Sequence, residues 1–424
     1  MKKYFTLLII FFIVGAIYSQ NSGKRPSRYG FDINFKPRIY YDIYFSKNFS
    51  NRKPVLNLLL NIQNDLLQFT KNNNHYSASY EISFTLRKKE NKEFVFSEIW
   101  QNNLIETDFE KTNSINIYNT EVKSFPIDTE SGKYEIYLEI VDRKTSNVYK
   151  STRDIVLKKI KPDSLNVSDI KLLNPTDSLS LEIPLDEKTI IEFNNTPVAS
   201  FEIETNESDS LIVNSKLFFK EKNKNKLLSD KKFRYLPQKS YFTFAELLPP
   251  ELLNEGNYSL KYKIYYGSKF IEKQKDFEIV WFGKPAYMYK YDLALRPLKY
   301  VISEDEWKTV DKLSNDEQEV WYQQYWKKSD PTPETPFNEI QFEFYNRVEI
   351  ANKEYSSRFK EGWETDRGKT IILYGKPDEK QIHKFTKNAP YEIWIYKKLK
   401  RKLTFVDVYN DDTYKLIGVE DLEE

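Results

Sequence analysis

A multi-domain, mainly β chain ending in an α+β module is the fold class that the sequence predicts, on three observations. From about residue 37 to 282 apolar side chains alternate with polar ones, two stretches of that region match each other, and after Gly283 the periodicity lengthens to three or four residues. The 424 residues suffice for two to four domains at roughly 100 to 200 residues each. An apolar share of 40% supplies their cores.

At the N-terminus Lys2 and Lys3 precede an apolar run from Phe5 to Val14, and small residues follow. This pattern predicts a secretory signal peptide over 1–19, with cleavage after Ser19 or alternatively after Ala16, and then a linker at 20–36. Even extended to Tyr18 the run falls short of the roughly 20 residues that span a bilayer, and no later segment approaches that length. The expected product is exported and has no transmembrane segment.

The alternation is clearest at Tyr76, Ala78, Tyr80, Ile82, Phe84 and Leu86, with Ser77, Ser79, Glu81, Ser83 and Thr85 on the other face. Such a strand covers a core on one side only. The pattern returns at Tyr134, Ile136, Leu138 and Ile140, and again at Tyr258, Leu260, Tyr262 and Ile264. Aligned without a gap, residues 131–157 and 255–281 share Gly-x-Tyr, an alternating strand and an acidic-Ile-Val ending, which predicts a repeat at domain scale. Gly-x-Tyr after an apolar loop (Phe125 to Ile127, Leu247 to Leu253) fits the tyrosine corner of immunoglobulin-like sandwiches. Ile136 and Leu260 stand where antibody domains carry cysteine, so apolar burial alone must hold the layers together. Two immunoglobulin-like β-sandwiches are therefore expected at 37–158 and 165–282, separated by the charged, proline-bearing linker Lys158 to Ser164. The many aromatic residues (Phe 29, Tyr 31, Trp 7) are read as fillers of strand faces.

Composition excludes several function classes. Sixty-five Lys and Arg against 63 Asp and Glu give a formal net charge of +2, and removal of Lys2 and Lys3 with the signal brings it to zero. No nucleic-acid-binding role is expected. With no cysteine there is no disulfide, thiolate metal site or cysteine nucleophile, and only His75 and His383 remain for imidazole chemistry. No catalytic residue, cofactor or metal is assigned.

The third region, 283–424, is the α+β module. Ser314 and Glu317 form a capping box that opens a helix. Thr335-Pro336 opens another, with apolar positions Phe337, Ile340, Phe344, Val348, Ala351, Tyr355 and Phe359 over six turns. Strands are expected at Thr370 to Tyr374, Tyr391 to Tyr396 and Leu403 to Tyr409, with a basic turn from Lys397 to Lys402. Between helix and strands lies a compact run in which Gly362 and Gly368-Lys369-Thr370 mimic a phosphate-binding loop. Five residues separate the glycine from Gly-Lys-Thr where such a loop has four, Trp363 stands where backbone amides would wrap phosphate, and a strand rather than a helix is expected next. A structural account is preferred. Thr365 and Asp366 satisfy free backbone N–H groups, Gly368 supplies a positive φ, Gly375-Lys376-Pro377-Asp378 makes a second turn, and Trp363 plugs the core between helix and sheet. Arg367 is expected to pair with Asp366, Asp378 or Glu379, as a buried tie or as an anion-binding group in a cleft.

At Gly362-Trp363-Glu364-Thr365-Asp366 the chain resembles the GWxTD-domain family of secreted or envelope-associated bacterial proteins. The likeness extends to Arg347 and Ala351 upstream and to Arg367-Gly368, Tyr374-Gly375, Pro377-Asp378-Glu379 and Glu392-Ile393-Trp394 downstream. Position 376 is Lys where members often have proline. The resemblance implies an address and an architecture, but no reaction and no catalytic residues.

Three functions are weighed. The first is a non-enzymatic envelope protein, periplasmic, outer-membrane-associated or secreted, working by protein–protein contact. The second is a glycan-binding module, which would expose a flat patch of rings such as Trp307, Trp321 and Trp326. The third is a carboxylate-dependent hydrolase built on Asp366, Asp378 and Glu379 with Arg367.

Overall fold

The computed structural model describes residues 24–26, 32–34, 38–47, 54–114, 117–127, 131–157, 165–173, 189–193, 195–205, 210–222, 224–236, 241–357, 360–384 and 389–422. The expected signal peptide, most of the 20–36 linker, the Lys158 to Ser164 linker and Phe359 lie outside them. The fold is mainly β, with several sheets. It divides into two compact units, one formed by Lys36–Leu248 with Glu255–Val280, the other by Lys24–Phe35, Pro249–Asn254 and Trp281–Glu424.

In the first unit, strands β1 (Ile39–Lys47), β2 (Pro54–Gln63) and β5 (Tyr118–Pro126) form an antiparallel sheet in the order β1–β2–β5. A second antiparallel sheet contains β3 (His75–Lys88), β4 (Phe94–Glu106), β6 (Gly132–Asp142) and β7 (Val148–Leu157), with β3 between β4 and β6. Their facing sides share one core: Leu56, Leu58, Leu60 and Ile62 come from β2, Ile82, Phe84 and Leu86 from β3, and Ile136, Leu138 and Ile140 from β6. The inward phase read from the sequence is the buried one, with Tyr76 only half-buried at the strand's start.

The rest of the unit repeats the plan. Strands β8 (Val198–Glu204) and β11 (Tyr241–Leu247) pair in one sheet. Strands β9 (Leu211–Lys220), β10 (Asn225–Tyr235), β12 (Gly256–Tyr266) and β13 (Lys269–Val280) belong to the other, in the order β13–β12–β9–β10, where Thr189–Glu192 adds a parallel edge strand beside β13. Phe201 and Phe244 from the first pack on Tyr262 from the second, with ring centroids 4.8 and 5.7 Å away. Ile136 and Leu260 are both fully buried. The gapless repeat holds along β6 and β12 but slips by two residues in the following strand. Tyr134 faces Ile155, whereas Tyr258 faces Phe277 rather than Ile279, because Tyr266↔Lys269 closes the second hairpin two residues sooner than Val141↔Val148 closes the first. A two-residue slip preserves which side chains face inward.

In the second unit, helices α1 (Glu304–Val310), α2 (Asn315–Lys328), α3 (Glu339–Tyr355) and α4 (Asp366–Tyr374) precede an antiparallel sheet of β14 (Glu379–His383), β15 (Tyr391–Tyr396), β16 (Arg401–Val406) and β17 (Lys415–Asp421), paired in that order. The Ser314–Glu317 capping box is present, and its hydrogen bonds lower the Glu317 pKa. Three expectations need correction. Helix α3 starts at Glu339 because the Asn338 side chain accepts from Gln341 N, while Thr335 is held in a turn with Thr332, and Ile340 is half exposed. Strand β16 ends at Val406, where Asp407 accepts backbone N–H groups of Asp411 and Asp412 and opens a turn. Thr370 to Tyr374 is helix, not strand. Its β-branched residues favour a strand locally, but a capped first turn and burial of Ile371 and Ile372 on two different cores override that preference. Among the described residues no helix is long and apolar enough to cross a membrane.

Candidate functional site

The Gly362 to Asp366 run lies where α3, α4 and the sheet meet. Helix α3 spans two cores: Phe344, Val348 and Ala351 join the helical one, and Tyr355 joins the one against the sheet. Trp363 is buried in the helical core rather than between helix and sheet. Asn352 Oδ1 accepts from Trp363 N at 3.0 Å, and the indole Nε1 donates to Glu361 at 2.8 Å. Ser356 Oγ donates to Asn352 O at 2.7 Å and accepts from Gly362 N at 2.9 Å.

Both glycines of the run are fixed by close approach. A Cβ on Gly362 would lie 1.8 Å from the Ala351 carbonyl oxygen, and one on Gly368 would lie 1.8 Å from that of Gly362. Three backbone segments thus touch through Ala351, Gly362 and Gly368. This corrects the expected role of Gly368, which sits inside α4 and is not among the positive-φ residues. Gly375 does have positive φ (77°), where it ends α4. Arg347 donates to the Ile372 carbonyl at 3.3 Å, satisfying a terminal group of that helix.

Each polar residue singled out from the sequence has an internal partner. Thr365 caps α4, its Oγ1 accepting from Gly368 N at 3.0 Å and donating to Gly362 O at 2.7 Å. Asp366 accepts from Leu416 N at 3.0 Å and so ties α4 to β17. Arg367 departs from expectation: its guanidinium donates to Glu392 at 3.0 Å and to the Asp412 carbonyl at 2.9 Å. It lies 4.0 Å from the Tyr414 ring centroid and 5.1 Å from that of Tyr355. Glu392 also accepts from Trp394 Nε1 at 2.9 Å and lies 3.3 Å from Lys380 Nζ. The Arg367 and Glu392 side chains are only 6% and 5% exposed, so this is a buried ion pair, in which loss of one partner costs about 3–5 kcal/mol. Burial also pushes up the phenol pKa of Tyr355, with Glu354 adding to it, and that of Tyr396, keeping both neutral.

Asp378 accepts from Lys397 N at 2.7 Å and braces the basic turn, while Glu379 accepts from Gln381 on the exposed side of β14. Pro377 occupies the turn between α4 and β14, and the Tyr374 ring lies against Tyr396. The expected cluster of Asp366, Asp378 and Glu379 around Arg367 is therefore dispersed among separate partners. Sequence reasoning named Glu392 only within the family likeness, not as the partner of Arg367, and missed Asn352 and Ser356. That partnership left a signal, since Glu392 shares the inward phase of Trp394 and Tyr396, and a charge in that phase demands a partner. Trp326 is buried, and Trp307 and Trp321 pack against the same core, so these rings form part of the helical layer and not a flat exposed platform. His383 stacks on Tyr391. Among the described residues no group of three or more acidic or imidazole side chains is placed to hold a metal ion.

These features define a mainly β chain whose α+β module is organised around an internally bonded glycine-tryptophan turn. Residues 261–423 match the family model of the GWxTD domain, and the chain carries that domain. The match begins inside β12, twenty residues before Trp281, where the C-terminal segment of the second unit starts. No curated protein matches the chain.

Proposed function

We propose that this chain is an exported, non-enzymatic protein of the bacterial envelope, periplasmic, outer-membrane-associated or secreted, that works through protein–protein contacts. Residues 37–158 and 165–282 are read as two immunoglobulin-like sandwiches serving as spacers or docking surfaces, and 283–424 as the module that engages another envelope protein. Support for the sandwiches comes from paired, mostly antiparallel sheets with inward-facing alternation and from the buried Gly-x-Tyr tyrosines Tyr134 and Tyr258.

One observation carries the functional reading: the motif's polar groups are committed to the fold. Thr365 caps a helix, Asp366 holds β17 and Arg367 neutralises Glu392, so the residues best suited to acid–base work are engaged elsewhere. Crosslinking in intact cells, followed by identification of co-purified proteins, tests the reading. A reproducible envelope partner is expected. Absence of any partner, with specific retention on a polysaccharide, would overturn it in favour of glycan binding.

A further inference from the structure

Strand β4 lies at an open edge of its sheet: among the described residues β3 is the one strand that pairs with it. Its 13 residues are more than twice the usual strand length of about five or six. A row of unpaired backbone N–H and C=O groups is a template for another strand, and proteins guard such edges with lysine, proline or inward charges. Strand β10, at the edge of its own sheet, carries Lys226, Lys231, Lys232 and Arg234, and the edge strand β7 carries Lys150 and Arg153. Strand β4 has no lysine, arginine or proline, and its solvent side exposes Ile99 and Ile105, at 62% and 69%. Its polar residues on the inner side are already matched within the chain, Glu98 by Lys123 and Asn102 by Glu121, so the edge brings no uncompensated charge to a partner. The backbone groups that face outward belong to the odd-numbered residues. Asn103 N donates to the Asn102 side chain at 3.0 Å, and Ser79, opposite Asn103 in β3, turns its carbonyl the other way, where Arg143 N donates to it at 3.0 Å.

We propose that β4 pairs antiparallel with β4 of a second copy of this chain, about a two-fold axis at Trp100. The strand's apolar and polar residues are arranged nearly symmetrically about that position. Phe96 then lies opposite Leu104, Ser97 opposite Asn103, Glu98 opposite Asn102 and Ile99 opposite Gln101. Apolar meets apolar and polar meets polar at every pair but the last, and no like charges face each other. Moving the axis by one residue either way sets Phe96 against Asn102 or Glu98 against Leu104, so the sequence favours one register. In that register the hydrogen-bonded pairs are Ser97 with Asn103 and Ile99 with Gln101, the odd-numbered residues whose backbone groups face outward. The two copies of Ile99 become diagonal neighbours across the axis and shield each other from water. A pattern that matches its own reverse selects a copy of the chain over an unrelated strand, as a two-fold contact requires. This pairing of copies goes beyond the envelope-partner reading and does not depend on it.

A chain without cysteine allows a test of the register itself. Full-length protein carrying Ser97→Cys is mixed with protein carrying Asn103→Cys and oxidised mildly. A disulfide-linked dimer is expected from the mixture and not from either variant alone. The hydrogen-bonded pair sets its Cα atoms about 5.5 Å apart, within disulfide reach, whereas the two copies of position 97, like those of 103, lie about 20 Å apart. In sedimentation velocity the unaltered protein should self-associate, and Ile99→Lys, which sets two ammonium groups beside each other at the axis, should weaken that association about tenfold with unchanged circular dichroism. Leu227→Lys, on the guarded edge β10, should leave it unchanged. A monomer at every concentration, crosslinking of one variant alone as strong as that of the mixture, or equal effects of Ile99→Lys and Leu227→Lys would overturn the proposal. Capture of an envelope partner in cells bears on the earlier reading alone.

Discussion

The two units differ in what joins their layers at the centre. In the strand-rich unit the layers meet mainly through apolar side chains such as Ile136 and Leu260, with buried polar ties such as Tyr262 to Glu246 at 2.7 Å added to them. In the C-terminal unit the central tie is polar and steric: a buried Arg367–Glu392 pair, a capping threonine and two glycines against backbone. An apolar core spreads its energy over many contacts and tolerates exchange of similar volumes. A buried ion pair and a glycine contact concentrate it in a few atoms, and a single change there has no neighbouring substitute. The family motif therefore marks the place where this module is least able to accept replacement.

That contrast can be broken by substitution, read through fluorescence, since Trp281, Trp307, Trp321, Trp326, Trp363 and Trp394 belong to the second unit and only Trp100 to the first. Glu392→Ala should have the largest effect, a loss of about 4 kcal/mol from the second unit, because it leaves the buried Arg367 guanidinium with only the exposed Asp412 carboxylate, at 3.4 Å, to offset its charge. Gly368→Ala follows at about 3 kcal/mol, since the new methyl meets the Gly362 carbonyl. Leu260→Ala should cost a similar amount, about 3 kcal/mol, but in the strand signal of circular dichroism. A Leu260→Met replacement should cost under about 1.5 kcal/mol, which would separate a repackable core from a fixed contact. Thr365→Ala is the smallest, about 1 kcal/mol for a lost helix cap. If Gly368→Ala were as mild as Leu260→Met, the contrast between the units would not hold.

The strands of the first unit were legible because period-two alternation writes burial directly into the sequence, as from Tyr76 to Leu86. What lay beyond reading was whatever depends on a partner distant in sequence. Arg367 meets Glu392, 25 residues on, and nothing local chooses that acid over Asp366 or Asp378. Thr370 to Tyr374 read as a strand because its residues prefer one, and it folds as a helix because its two isoleucines reach separate cores. The glycines were rightly singled out, yet Gly368 serves contact and not backbone conformation, a distinction that only the position of the Gly362 carbonyl reveals. The slip between the two hairpins was likewise hidden, since a shift of two residues leaves the pattern of facing unchanged.

The most direct test of the claim that the motif's charged residues serve the fold is a double-substitution cycle with Arg367→Met and Glu392→Gln, measured as unfolding free energy of the second unit alongside crosslinked partners in cells. Each single change should destabilise by several kcal/mol, and the pair together should recover most of that loss and capture the same partners as the unaltered chain. A double variant that regains stability yet loses its partners would contradict the account, because the guanidinium and the carboxylate would then be acting on something outside the fold.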